Sequence, residues 1–288
     1  MVHVLQNLSM NIVTWNYDEK TITKQEYVGN SLLAKETAKK GYDAIIREYV
    51  YIDSKYVKMT LKLVPDFWES IKGKGIDLGG GVGCISSTLA QKTEIESIFC
   101  VEVVEDVVRL CQPIVKQKIL QDKSSKVVSV IGNFDHLKLD DNSLDFAISW
   151  DSMHHSIDPI TTLQECNRVL KKNGLFLIID RAHNNSTPDS EIERMLNIKY
   201  NKEFLRKNYR SEDLVLSRRD NGEHEYRFFE WKNFFDKSNF ELVTSLIVKT
   251  ETEENKKMTN DAGIKEIFVD YDLGAFGNRK SVFLLRKR

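Results

Sequence analysis

Apolar residues recur at helical spacing between Ser31 and Ile71, at Leu32, Leu33, Tyr42, Ile45, Ile46, Tyr49, Val57, Leu61, Leu63 and Val64. This spacing predicts two or three helices, expected to form an N-terminal cap over residues 1–72. The period then changes. Short apolar runs predict strands at Lys74–Leu78, Ser97–Val103, Val127–Ile131, Leu144–Trp150 and Gly174–Asp180. Amphipathic stretches predict helices at Cys84–Lys92, Asp106–Ile119 and Thr161–Leu170. Strand and helix alternating in this way predict an α/β fold, a doubly wound sheet of parallel strands joined by right-handed crossovers.

After Asp180 the alternation breaks. Residues 184–225 are polar, with a helical stretch at Asp189–Asn208 and turn residues Asp220, Asn221 and Gly222, and read as a lid inserted over the carboxyl edge of the sheet. The pattern resumes with a helix at Tyr226–Lys237 and a strand at Glu241–Lys249. The charged run Thr250–Lys257 reads as a solvated loop. Two further strand-like runs, Gly263–Asp270 and Lys280–Leu285, are joined by Gly274-Ala275-Phe276-Gly277-Asn278 and predict a terminal hairpin. The core thus spans residues 73–288.

Composition narrows the chemistry. With 288 residues, 41% hydrophobic and 30% charged, the chain can enclose a core without staples. Its 42 basic and 43 acidic side chains give a net charge of −1, which excludes an extended electrostatic grip on nucleic acid. Cys84, Cys100, Cys111 and Cys166 sit in apolar patterns without paired spacing, so reduced core thiols in the cytoplasm are expected, and no metal site. The longest apolar run, Leu175–Ile179, is far shorter than the roughly 20 residues a membrane helix needs, and Met1–Asn16 has no export pattern. No membrane partner is expected.

The sharpest motif is Ile76-Asp77-Leu78-Gly79-Gly80-Gly81-Val82-Gly83-Cys84, between a strand and a helix. Gly79, Gly81 and Gly83 permit a tight turn and close approach of a ligand to the main chain. The dinucleotide spacing fails, because Cys84 and Ser86 stand where a third glycine is needed. With Asp77 leading the loop, an amino group is a better guest than a pyrophosphate. A turn without ligand is the bland alternative. Glu102 ends the next strand, where a carboxylate can accept both hydroxyls of a ribose; taken alone it also reads as strand-end solvation.

These residues, followed by Gly132-Asn133-Phe134-Asp135, Leu144-Asp145-Phe146-Ala147-Ile148-Ser149, Asp151-Ser152-Met153-His154-His155-Ser156-Ile157-Asp158-Pro159 and Glu165 to Leu175, resemble the class I S-adenosylmethionine-dependent methyltransferases, in their small-molecule branch. The resemblance covers about residues 74 to 181. It implies a Rossmann-like, seven-stranded, mostly parallel sheet ending in an antiparallel hairpin, with S-adenosyl-L-methionine as cofactor. It implies that Asp77, Gly79, Gly81 and Gly83 hold the methionine end, that Glu102 takes the ribose, and that Asn133 and Phe134 flank the adenine. Asn133 stands where the family commonly has Asp, so an amide oxygen would accept there. Trp150 is expected beside the sulfonium, where an aromatic face favours a cation; Phe134 and Trp150 also read as plain core.

Methyl transfer needs an acceptor held in line, and a hydroxyl acceptor benefits from a base. Candidates are His154 after the fourth strand, His183 after the fifth, and His224 in Glu223-His224-Glu225 at the end of the insertion, with His155 expected to pack structurally. Arg181 and Arg227 are candidates for an anionic group on the acceptor, and the pair Arg218-Arg219 reads as solvated surface. The expected function is O-methylation of a small polar acceptor such as a sugar or sugar nucleotide. Alternatives are an aromatic or lipid-like metabolite, a nicotinamide-dependent dehydrogenase, or a non-catalytic nucleoside-binding protein. Expected partners are the small-molecule acceptor and, as an option, a second copy in a homodimer.

Overall fold

A computed structural model describes residues 12–15, 23–50, 54–271, 273 and 278–288. Residues 274–277 of the turn expected before the last strand, and most of the segment 1–16 read for export, lie outside the described residues. The first described element is β1 (Ile12–Thr14), then come α1 (Lys24–Lys39), α2 (Tyr42–Tyr49), α3 (Ser54–Lys62) and α4 (Pro65–Trp68). There follow β2 (Gly73–Leu78), α5 (Cys84–Ala90), β3 (Ile95–Glu102), α6 (Gln112–Leu120), β4 (Val127–Ile131), β5 (Leu144–Trp150), α7 (Pro159–Val169) and β6 (Leu170–Asp180). The insertion carries α8 (Asp189–Leu196) and α9 (Lys202–Lys207), and the chain closes with α10 (Phe228–Lys237), β7 (Phe240–Thr250), α11 (Glu253–Lys257), β8 (Lys265–Val269) and β9 (Arg279–Lys287).

The strands form one sheet in the order β1-β4-β3-β2-β5-β6-β9-β7-β8. Strand β9 runs antiparallel to both its neighbours, and the other recorded pairings are parallel. The mixed Rossmann-like architecture is as expected, with nine strands among the described residues where the resemblance implied seven. One addition is β1, which lies in the stretch read as helical cap and pairs with the edge of β4. The other is β8. It pairs with β7 rather than with β9, so the C-terminal antiparallel pair is β7 and β9, not the hairpin of the last two runs. Burial explains the arrangement. In β9 every residue from Lys280 to Leu285 is buried, which suits a central position, whereas β8 is mostly exposed or half-exposed and suits an edge.

Local chemistry accounts for the other departures. The stretch Asp106–Ile119 opens with a π-helical turn at Val107–Cys111, next to Pro113, whose missing N–H cannot continue the regular ladder. The expected helix Asp189–Asn208 is two, because Asn201 caps α9 by accepting from Phe204 N at 2.8 Å. The charged run holds α11, capped by Thr252 and anchored by buried Asn255.

Apolar clusters cover both faces. Cap residues Val57, Leu61, Val64 and Phe67 share one cluster with Ile85, Leu89, Phe146 and Val248. Ala34 and Ile45 pack with Cys84, Val107 and Cys111. All four cysteines are buried. On the opposite face, fully buried Trp231 meets Tyr226, Phe234, Phe235 and Phe283, and its indole N–H donates to the Arg181 carbonyl at 2.9 Å. Trp231→Ala is expected to cost about 3–5 kcal/mol, read as a lower midpoint in urea unfolding; a shift under about 1 kcal/mol would show that this cluster does not hold α10 to the sheet.

Candidate functional site

The carboxyl ends of β2, β3, β5 and β6 gather the predicted residues. Gly79, Gly81 and Gly83 have φ of 70°, 51° and 84°, the left-handed region that glycine adopts without strain. At Gly79 a Cβ would lie 2.5 Å from Ser152 Cβ, so loop and post-β5 segment touch there. Ser152 Oγ fastens them, donating to the Leu78 carbonyl at 2.6 Å. At Gly81 a Cβ would meet nothing within 4 Å, so the loop has an open side.

Asp77 is buried and accepts from Ser86 N at 3.1 Å and Ser86 Oγ at 2.6 Å. Burial outweighs these bonds and pushes its carboxyl up to about 6. Glu102 is likewise raised by burial, while its Oε1 accepts from Val104 N at 2.8 Å. Asn133 is buried, and its Oδ1 accepts from Asp135 N at 3.0 Å, a local turn of the backbone. Phe134 lies 3.6 Å from the position of a Gly79 Cβ. Trp150 is half-buried and packs against the cluster of Phe146 and Ile148. A carboxylate for hydroxyls, a second for an ammonium and an open glycine loop between them fit a nucleoside bearing an amino-acid tail.

The second half of the site is an acid–base cluster. His154 is buried, with Nδ1 2.7 Å from Asp180 Oδ1 and its backbone N donating to Asp180 Oδ2 at 3.2 Å. Burial raises the Asp180 carboxyl, opposed by Arg181, Lys280 and the backbone N–H groups of Arg181 and His154; as a carboxylate it only accepts, so Nδ1 carries the proton and Nε2 the lone pair. Burial, then His155 and Arg181, hold the His154 pKa well below its ordinary value. Glu223 Oε2 stands 3.7 Å from Nε2. Against the cost of burial, Arg181 and both imidazoles hold Glu223 down at about 2. Its other oxygen accepts from Tyr200 Oη at 3.1 Å.

His183 and His224 are differently employed. His183 Nε2 is 2.6 Å from Glu225 Oε2, and Glu225 also binds Arg218 and Arg181. His224 Nδ1 donates to the His154 carbonyl at 2.9 Å, and the ring stacks on Tyr226. The structure therefore brings His154 and His224 together through backbone and links His183 to them through Glu225, Arg181 and Glu223, and through its backbone N–H, which donates to the Tyr226 carbonyl at 2.8 Å. Arg227 is buried, bound to Asp189 and to Thr187 O. Arg218 turns inward onto Glu225 and Glu223, unlike the solvated role expected of it, while exposed Arg219 pairs with Glu193.

Three residues were missed. Asp180 ends a strand beside Arg181 and carried that positional signal; Glu26 of α1 and Tyr200 of the insertion gave none. Glu26 Oε2 is 3.3 Å from His155 Nδ1, and burial, then Glu102 and Glu223, raise it well above the ordinary carboxyl range. By donor type, His154, His155 and Glu223, or Asp151, His154 and Asp180, could hold a metal ion. Cationic side chains already stand in both sets: Arg181 binds Glu223, and Lys280 Nζ is 2.8 Å from Asp151.

Residues 76–178 match a family described as a methyltransferase domain. No curated protein matches the chain in sequence. Among solved structures, a SAM-dependent methyltransferase from Thermotoga maritima is 20% identical over 91% of this chain and 100% of that one, with a TM-score of 0.51. A candidate methyltransferase from Bacillus halodurans C-125 is 15% identical over 82% and 98%, with a TM-score of 0.53. A candidate sarcosine dimethylglycine methyltransferase from Galdieria sulphuraria is 21% identical, with a TM-score of 0.48; the match covers 69% of this chain and spans 64% of that protein's length. Among the described residues no helix is long and apolar enough to cross a membrane.

Proposed function

Since the chain carries a class I S-adenosylmethionine-dependent methyltransferase domain, with S-adenosylmethionine as its cofactor, we propose that it methylates a hydroxyl of a small polar acceptor, such as a sugar or sugar nucleotide, in the cytoplasm. The observation that carries this reading is the His154–Asp180 pair, a buried neutral imidazole whose partner fixes the tautomer that leaves Nε2 bare. The division into a cap, residues 1–72, and a methyltransferase domain, residues 73–288 with a lid at 184–225, belongs to the same proposal.

Asp77 and the loop glycines are assigned to the methionine end, Glu102 to the ribose, Asn133 and Phe134 to the adenine, and Trp150 to the neighbourhood of the sulfonium. When bound, the cofactor supplies a methyl group on a sulfonium, with a neutral thioether as leaving group. His154 Nε2 takes the hydroxyl proton, and Asp180 holds the ring and balances the imidazolium that results. His183 and His224, committed to Glu225 and the His154 carbonyl, brace the lid. The lid and Glu26 of the cap keep water from the acceptor, which sharpens every charge interaction inside.

The test has two parts. Calorimetry with S-adenosylhomocysteine is expected to show binding that weakens as pH falls through about 6, because a protonated Asp77 no longer attracts the amino group; Asp77→Asn removes that dependence. Release of S-adenosylhomocysteine is then followed with a nucleotide-linked hexose, a catechol and a fatty acid. Turnover of the hexose supports the reading, and turnover of only the catechol or fatty acid replaces it with an aromatic or lipid-like acceptor. Stabilisation by NAD but not by S-adenosylhomocysteine would sink the cofactor assignment.

A further inference from the structure

Among the described residues at this edge the cations are already engaged. Arg181 and Arg218 bind Glu223 and Glu225, and Lys280 stands against Asp151. Arg210 donates to Gln25 O and Asn221 Oδ1, each at 3.0 Å. Its Nε and Nη1 lack partners but are sealed from solvent against α1, where a Cβ on Gly29 would collide with the guanidinium. Arg181 Nε is sealed in the same way. No cation is left to greet an anionic group.

What stands open is of the opposite kind. His155 Nδ1 lies 3.2 Å from the Gly222 carbonyl and 3.3 Å from Glu26 Oε2. A carbonyl can only accept, so Nδ1 is the protonated nitrogen and Nε2 is bare. The ring stacks on His154 with centroids 4.2 Å apart. Its side chain is 20% exposed, against 3% for His154, and that of Glu26 is 22% exposed. A ring nitrogen of each histidine and an oxygen of Glu223 lie within 4.8 Å of one another. Two adjacent imidazoles, each with a carboxyl oxygen near Nδ1 and a lone pair at Nε2, offer paired hydrogen-bond acceptors. The matching ligand is a pair of neighbouring donors.

We propose that His155 takes a hydrogen bond from the hydroxyl next to the one that is methylated, so that the reacting end of the substrate is an uncharged vicinal diol. Glu26 of the cap and Gly222 of the lid are positioning groups that fix the ring. Burial lowers the His155 pKa, which keeps Nε2 bare near neutral pH. The proposal rests on the hydroxyl-methylation reading above and narrows it. It also reverses the expectation that His155 only packs.

The test uses the full chain with S-adenosylhomocysteine bound. Nitrogen-15 spectra of the imidazoles, assigned with His155→Asn, are expected to show His155 as the Nδ1–H tautomer, and Glu26→Ala is expected to release it into a mixture. An Nε2–H tautomer overturns the proposal. Kinetics with methyl glucoside and its monodeoxy forms supply the second arm. Loss of the neighbouring hydroxyl is expected to raise KM about tenfold at similar kcat, and His155→Asn to abolish that discrimination without changing S-adenosylhomocysteine affinity. Equal KM for diol and deoxy acceptors, or discrimination that survives His155→Asn, also overturns it. If the wild type binds S-adenosylhomocysteine yet methylates no hydroxyl, the function above fails, and the tautomer, which needs no turnover, still decides the state of His155.

Discussion

His154→Asn is expected to bind S-adenosylhomocysteine as the wild type does and to transfer methyl groups about a thousandfold more slowly. On the proposed mechanism the imidazole is the proton acceptor, and asparagine keeps the polarity without the basicity. Because burial and then His155 and Arg181 depress its pKa, the ring is neutral across the neutral range. The rate is therefore expected to be flat there and to fall on the acid side, below the ordinary imidazole value of 6.5, as Nε2 gains a proton. The variant loses that acid limb. Asp180→Asn tests the orienting role separately: it keeps a side chain against Nδ1 but can donate to it, and so favours the wrong tautomer. Rates within a factor of three of wild type in both variants would mean that positioning alone carries the transfer.

The glycine loop yields the second large effect. Gly81→Ala is expected to weaken S-adenosylhomocysteine about a hundredfold while costing only about 1 kcal/mol of stability, the penalty for alanine in a left-handed conformation. The added methyl meets no protein atom, so what it obstructs is the ligand. Gly79→Ala is the contrast. There the methyl runs into Ser152, whose hydroxyl bonds Leu78 O and Ser149, so affinity and stability fall together. Calorimetry and thermal unfolding on both variants separate the roles; equal stability losses would show that both glycines serve only the turn.

The parts legible in the sequence are those with a short-range signature. Strands β4 and β5 lie where the apolar runs put them, and the helix after the loop begins at Cys84 as expected. Asp77, Glu102 and the loop could be placed at one edge because consecutive parallel strands end on the same side of the sheet. The pairing of the last strands was not legible, since β8 and β9 are neighbours in sequence and the burial that separates them is a property of the whole sheet. Glu26 was invisible for a related reason. It lies on a helix whose apolar spacing is the only signal, and its closeness to His155 and Glu102 exists only once α1 has packed against the edge. Arg218 could not be told from Arg219 until the turn at Asp220 pointed one inward and the other out.

The place of β9 bears on how the chain is made. It follows β7 and β8 in sequence, yet it is hydrogen-bonded between β6 and β7. During synthesis β2 to β6 can pair as they emerge, but β7 and β8 have no seat until residues 279–287 have left the ribosome. Until then the free edge of β6 and the apolar faces of β7 stay open to aggregation and to chaperones. Loss of a few residues from that strand should therefore act on the yield of folded protein before it acts on any step of methyl transfer.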